Sequence, residues 1–132
     1  MSANRTLVAA ALLLMAVPAF SQVVPFIGQQ EAKLIASDAA SGDGFGTSVA
    51  LAGATAVVGA HHNENAGGPD AGSAYVFVRS GTSWSQRAKL TASDATTTDR
   101  FGPSVAVSGA TAAVGAYGSS NYAGAAYGFV RR

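Results

Sequence analysis

Large and small residues alternate along Ser48-Val49-Ala50-Leu51-Ala52, and again along Ser104-Val105-Ala106-Val107-Ser108. A period of two puts Val49 and Leu51 on one face of a strand and the small residues on the other. Gly53-Ala54 and Gly109-Ala110 interrupt these runs, which resume over Thr55 to Gly59 and Thr111 to Gly115. A two-residue gap containing a glycine, which tolerates positive φ, predicts a hairpin at each place. Tyr75-Val76-Phe77-Val78 and Tyr127-Gly128-Phe129-Val130 predict a third strand, and Ser83 to Ala92, with Trp84 and "AKLTA", a fourth.

The pattern recurs because the chain repeats itself. Residues 32–60, "AKLIASDAASGDGFGTSVALAGATAVVGA", align without gaps on 88–116, "AKLTASDATTTDRFGPSVAVSGATAAVGA". "GSAYVFVR" at 72–79 then matches "GAAYGFVR" at 124–131 across a shorter loop. Four antiparallel strands per unit, apolar on one face and Ala, Gly and Ser on the other, fit a propeller blade whose neighbour approaches closely. A β-sandwich of two similar sheets is the open alternative.

Phe45-Gly46 followed by Val57-Val58-Gly59-Ala60, and Phe101-Gly102 followed by Ala113-Val114-Gly115-Ala116, resemble FG-GAP repeats. These are the blade units of integrin α-subunit propellers and of many bacterial exported proteins. The resemblance covers nearly all of 32–132, with His61 and Tyr117 where the family usually has proline after Gly-Ala. It implies an all-β fold of antiparallel four-stranded β-propeller blades in two repeats, a partial propeller. By this likeness the Phe-Gly segment is innermost and the "W…AKL" segment outermost. Strands are then expected near 45–52, 55–60, 73–79 and 84–92, followed by 101–108, 111–116 and 124–131, with 32–36 as an outer strand ahead of the first blade. The first repeat spans 32–87 and the second, incomplete, 88–132. Two blades do not close a ring. The expectation is therefore a piece of a larger propeller or a chain that self-associates through exposed blade faces.

Composition adds where the chain works. Arg5, an apolar run from Leu7 to Val17 and Pro18-Ala19-Phe20-Ser21 have the layout of a secretory signal peptide, cleaved after Ser21. The expectation is a signal-peptide helix over 1–21, a linker over 22–31, and a secreted or periplasmic protein with no membrane attachment after cleavage. Eight basic and seven acidic residues, scattered, leave no electrostatic footprint for nucleic acid. The absence of cysteine excludes disulfides and thiolate metal sites.

Candidate chemistry is sparse. The glycines of "GDGFG" lead into a strand rather than a helix, and the second copy reads "TDRFG", which disfavours a phosphate cradle. Integrin-type repeats carry a calcium loop between their first two strands, but here those connections, 52–55 and 108–111, contain no carboxylate. No cofactor or metal is expected. His61, His62, Glu64 and Asp70 offer ligand atoms in one polar loop, yet adjacent residues in extended chain point apart, and the loop of the second copy has no such set. No nucleophile-elbow pattern accompanies the serines, so no catalytic residue and no enzyme are expected. The recurring aromatics Tyr75, Phe77, Tyr127 and Phe129, two apart on strands, are expected to pack between blades.

The resemblance also implies a function. In FG-GAP proteins the loops joining strand four to one and strand two to three share a ligand face. Here these are 37–44, with Asp38 and Asp43; 61–72, with His61, His62, Asn63, Glu64 and Asp70; 93–100, with Asp94, Asp99 and Arg100; and 117–123, with Tyr117, Asn121 and Tyr122. The expected role is a non-enzymatic exported scaffold that binds or adheres to a protein or glycan. The alternative is a fragment with a structural role and no ligand of its own.

Overall fold

The computed structural model describes residues 28–132, so the expected signal peptide lies outside the described residues. The chain divides after Gln30, and the fold below is that of Glu31–Arg132. Strands β1 (Phe45–Ala52), β2 (Thr55–Ala60), β3 (Ser73–Ser80) and β4 (Ser83–Leu90) form one antiparallel sheet in chain order. Strands β5 (Phe101–Ser108), β6 (Thr111–Ala116) and β7 (Ala125–Val130) form a second, also in chain order. The hairpins turn where expected: Ala52 pairs with Thr55 and Ser108 with Thr111, around Gly53 and Gly109 at φ +55° and +54°. Glycine takes this conformation without the clash that a side chain would bring.

Each repeat carries the same irregularity. Phe45 pairs with Ala60 but Ser48 with Gly59, and Phe101 pairs with Ala116 but Val105 with Val114. The register shift lets the Phe-Gly pair leave the regular pleat, with Gly46 at φ +93° and Gly102 at +117°. A bulge in β4 between the partners of Val76 and Phe77, Ala88 and Gln86, leaves Arg87 as the extra residue.

The front of each sheet is the face carrying its phenylalanine. On the front of the first sheet Phe45 meets Tyr75 and Phe77 edge-on, with ring centroids 5.6 and 6.0 Å apart. Phe101 repeats this with Tyr127 and Phe129 at 5.6 and 5.9 Å. The front of the second sheet packs on the back of the first: Phe101, Ala112, Val114 and Ala116 share a core with Val57 and Ala74. The second core joins Ala56, Val58, Tyr75 and Phe77 to Ala36, with Leu34, Phe45 and Trp84 around it. Burying side chains such as Phe101, Tyr75 and Val57 stabilises by about 1.5–3 kcal/mol each.

The two sheets touch most closely through β5, which runs across β1 and β2. A Cβ on Gly59 would collide with the carbonyl oxygen of Gly102, and one on Gly102 would lie 2.6 Å from the Ser73 carbonyl. The Ser48 hydroxyl donates to the Gly102 carbonyl at 2.5 Å. Backbone therefore meets backbone at this point. Farther along, the sheets leave a cleft of about 440 Å³ lined by Val76, Leu90, Val107 and Phe129, with Arg87 and Arg131 on its walls.

Two expected strand regions differ. Residues 32–36 join no ladder, and β4 ends at Leu90, so Thr91 and Ala92 also lie outside it. The equivalence of these segments lies in packing: Leu34 and Ala36 sit against Tyr75 and Phe77 on the front of the first sheet as Leu90 and Ala92 sit on the core around Phe101. Side chains hold the leading segment instead of a ladder. Glu31 pairs with Arg79 through two 2.7 Å bonds, and Gln86 accepts from the Ser37 amide at 2.9 Å.

Candidate functional site

The predicted contact residues all lie on the loops that precede β1 and β5 or follow β2 and β6. These loops are built by backbone hydrogen bonds. The His62 amide donates to the Asp43 carbonyl and the Gly118 amide to the Asp99 carbonyl, both at 3.0 Å, tying each β2–β3-type loop to the entry loop of its own sheet. The amides of Thr98, Arg100 and Phe101 donate to the carbonyls of Pro69, Asp70 and Ala71 at 2.9–3.0 Å. Loop 61–72 is thereby stitched to the entry loop of the second sheet. Asn65, which was not among the predicted residues, shapes it: its side chain donates to the Gly72 carbonyl and accepts from the Gly67 amide. "NAGG" has the composition of an Asx turn, a legible signal.

Four of the predicted carboxylates are used within the fold. Asp43, buried, accepts from the Ala40 amide at 3.0 Å and from the Asn63 side chain at 3.1 Å, and Asn63 in turn accepts from Ser73 at 2.6 Å. Asp99 accepts from the amide and hydroxyl of Thr96 at 2.9 and 2.8 Å. Both close their turns. Asp38 accepts from the Tyr75 hydroxyl at 2.8 Å and the Lys89 ammonium at 2.6 Å, and Asp94 accepts from the Tyr127 hydroxyl at 2.8 Å. The Lys89 hydrogen bond holds the Asp38 carboxyl below its ordinary range. Burial, then the Asp38 carboxylate, push the Tyr75 hydroxyl well above its usual value. These groups fasten loops to sheets.

A second set remains on the loop side. Nδ1 of His62 lies 3.2 Å from an oxygen of Asp70, and the rings of His61 and His62 lie 3.9 Å apart. Arg100 donates to the Tyr117 hydroxyl at 2.7 Å and lies over the same ring, 5.6 Å from its centroid. Tyr122 stands 6.3 Å from Tyr117, ring to ring, and both are exposed. The arrangement is a repeat with substitutions: Gly44 lies against the His61 ring as Arg100 lies against Tyr117. Burial, with the neighbouring charges of His62 and Arg100, holds His61 below its ordinary pKa. Nδ1 of His61 and Nε of Arg100 are buried atoms without a hydrogen-bond partner among the described residues. Glu64 and Asn121 are exposed at the rim.

The backbone on this side is strained. Asp70, Thr98, Arg100, Ser120, Asn121 and Tyr122 all have φ between 53° and 67°. For residues other than glycine such conformations cost on the order of 1–3 kcal/mol each and cluster where structure serves a site. The group combines an arginine, a His–Asp pair and two exposed tyrosines, which can donate hydrogen bonds, accept them and stack. Among the described residues no three of His, Asp and Glu gather as metal ligands, and no serine hydroxyl hydrogen-bonds either histidine.

A search of curated proteins finds no match. The family model of the FG-GAP repeat matches residues 29–77, through β1, β2 and most of β3, and 84–129, from β4 into β7, and so takes in most of the chain. With two sheets built alike and each repeat matched in turn, the chain belongs to the FG-GAP repeat family, a β-propeller-type module.

Proposed function

We propose that this chain is a non-enzymatic binding module, exported by its leading segment, whose contact surface is the loop side built by 61–72, 93–100 and 117–123. One observation carries the reading: Arg100, Tyr117, Tyr122 and the His62–Asp70 pair gather at the seam between the two repeats. Tyr and Arg are the residues that dominate binding surfaces elsewhere. The Arg100 guanidinium, set beside the Tyr117 hydroxyl, favours a ligand that brings an oxygen acceptor, such as a carboxylate on a glycan or on a protein loop. Asp38, Asp43, Asp94 and Asp99 shape the loops that carry this surface and are not its contacts.

The test is an array of neutral and carboxylated glycans and of immobilised proteins, probed with the native chain, with Arg100→Gln, and with a chain whose loop 61–72 is replaced by 117–124. Circular dichroism checks that each variant keeps its sheets. The expected result is a bound signal at least tenfold weaker for Arg100→Gln. Binding that survives both changes, or no binding above background, sinks the reading.

A further inference from the structure

The contact that joins the two repeats is encoded twice but made once. Its back half is Ser48, Ala50 and Gly59 on the first sheet, and its front half is Gly102, Val105 and Val107 on the second. At equivalent positions the back of the second sheet carries Ser104, Ala106 and Gly115, and the front of the first carries Gly46, Val49 and Leu51. Ser104 lies against Gly115 as Ser48 lies against Gly59. Gly46 shares the positive φ of Gly102, yet among the described residues nothing lies within 4 Å of where its Cβ would be. Val49 and Leu51 are 69% and 67% exposed, whereas Val105 and Val107 pack on the shared core. Leu34 and Ala36 leave this patch clear, as Leu90 and Ala92 leave its counterpart clear for the first sheet.

We infer that the front of the first repeat docks on the back of the second repeat of another copy of this chain, reproducing the contact between the repeats. The occupant is a second copy because the matching Ser104, Ala106 and Gly115 are already present on the opposite side of the same molecule. Where the halves differ, the back becomes smaller and the front larger. Val57 and Val76 of the inner contact become Ala113 and Gly128, while Val107 becomes Leu51. The smaller back accommodates the larger front side chain, as close-packed apolar surfaces require. Such an interface is heterologous, since two different surfaces of the chain meet.

The experiment uses sedimentation velocity and light scattering on the full chain over a concentration series. Leu51→Glu blocks the front, Ala106→Glu blocks the back, and Ala113→Glu is a second back variant; all three positions are exposed on sheet surfaces. The native chain is expected at a mass of at least twice its own, and each variant alone at the mass of one chain. A mixture of the front variant with either back variant is expected to form a one-to-one pair and grow no further, since each keeps one intact half. A monomeric native chain overturns the inference, as does a mixture that stays monomeric. Front and back variants that associate as fully as the native chain overturn it equally.

Discussion

Gly46 and Gly102 hold the same place in the two repeats, each within the same register shift, yet they do different things. Gly102 lies between the Ser73 carbonyl and the Ala60 amide, 2.6 and 3.1 Å from where its Cβ would stand, whereas Gly46 faces open space. Phe101 is completely buried, while its equivalent Phe45 is half-buried. The repeat thus shows which part of each residue's role comes from its own sheet and which from a neighbour. Own-sheet roles recur: the edge-on aromatic trio and the tyrosine-to-aspartate bond appear in both copies. The front-face roles that need a neighbour are filled in the second copy, whose front is covered by the first sheet.

Substitutions in pairs break this comparison most sharply at the phenylalanines. Phe101→Ala is expected to cost about 3–5 kcal/mol and Phe45→Ala about 1–3 kcal/mol, read from urea unfolding midpoints. Equal costs would mean that the neighbour contributes nothing. The glycines come next. Gly102→Ala combines unfavourable φ with overpacking, for about 2–4 kcal/mol, while Gly46→Ala carries the φ term alone, about 1–2 kcal/mol. Smaller again is the tyrosine pair. Tyr75→Phe is expected to cost about 1–2 kcal/mol and Tyr127→Phe about 0.5–1 kcal/mol, since only Tyr75 is fully buried.

The least change is expected from pH, and only in the first copy. His61 titrates below the ordinary histidine value of 6.5, so the unfolded chain binds more protons than the folded one as pH falls through that value. Stability present above 6.5 is therefore lost progressively below it. Asp38, held below the ordinary aspartate value of 3.8, contributes stability that is complete above that value and lost only as pH falls further, through its lowered pKa. Unfolding midpoints at about pH 7.5 and 5.5 should fall for the native chain and change less for His61→Tyr, which installs the second copy's residue. A variant with an unchanged slope would remove His61 from that account.

Much of this was legible in the sequence because alternation and repetition report on side-chain surroundings. Strands β1, β2, β5 and β6 fall where the Val-Ala alternation and the Gly-Ala gaps put them. The 32–36 segment shows the limit: its near identity to 88–92 carried the packing of Leu34 and Ala36 but not ladder hydrogen bonds, which depend on a partner strand. The loops of the candidate site were also legible, while the division of labour within them was not. Asp38 meets Tyr75 and Lys89 across long sequence separations, and nothing adjacent to it announces either partner. The Arg100–Tyr117 pair emerges only when Gly44 and His61 are seen to occupy the same places in the other copy.

The glycine contact between the sheets has a geometric consequence. Backbone touches backbone where Gly59 meets Gly102, while elsewhere Leu90, Val76 and Phe129 border an open cleft. Two slabs that are pinched at one place and parted at another form a wedge. Wedges stacked through one repeated contact turn the same way at every step, so the stack closes into a ring where those turns complete a circle and winds into a helix where they do not. With propellers of about four to eight blades as the guide, closure would take roughly two to four copies of this chain. The side chain that glycine lacks thus sets a curvature, and curvature sets how many copies complete one turn.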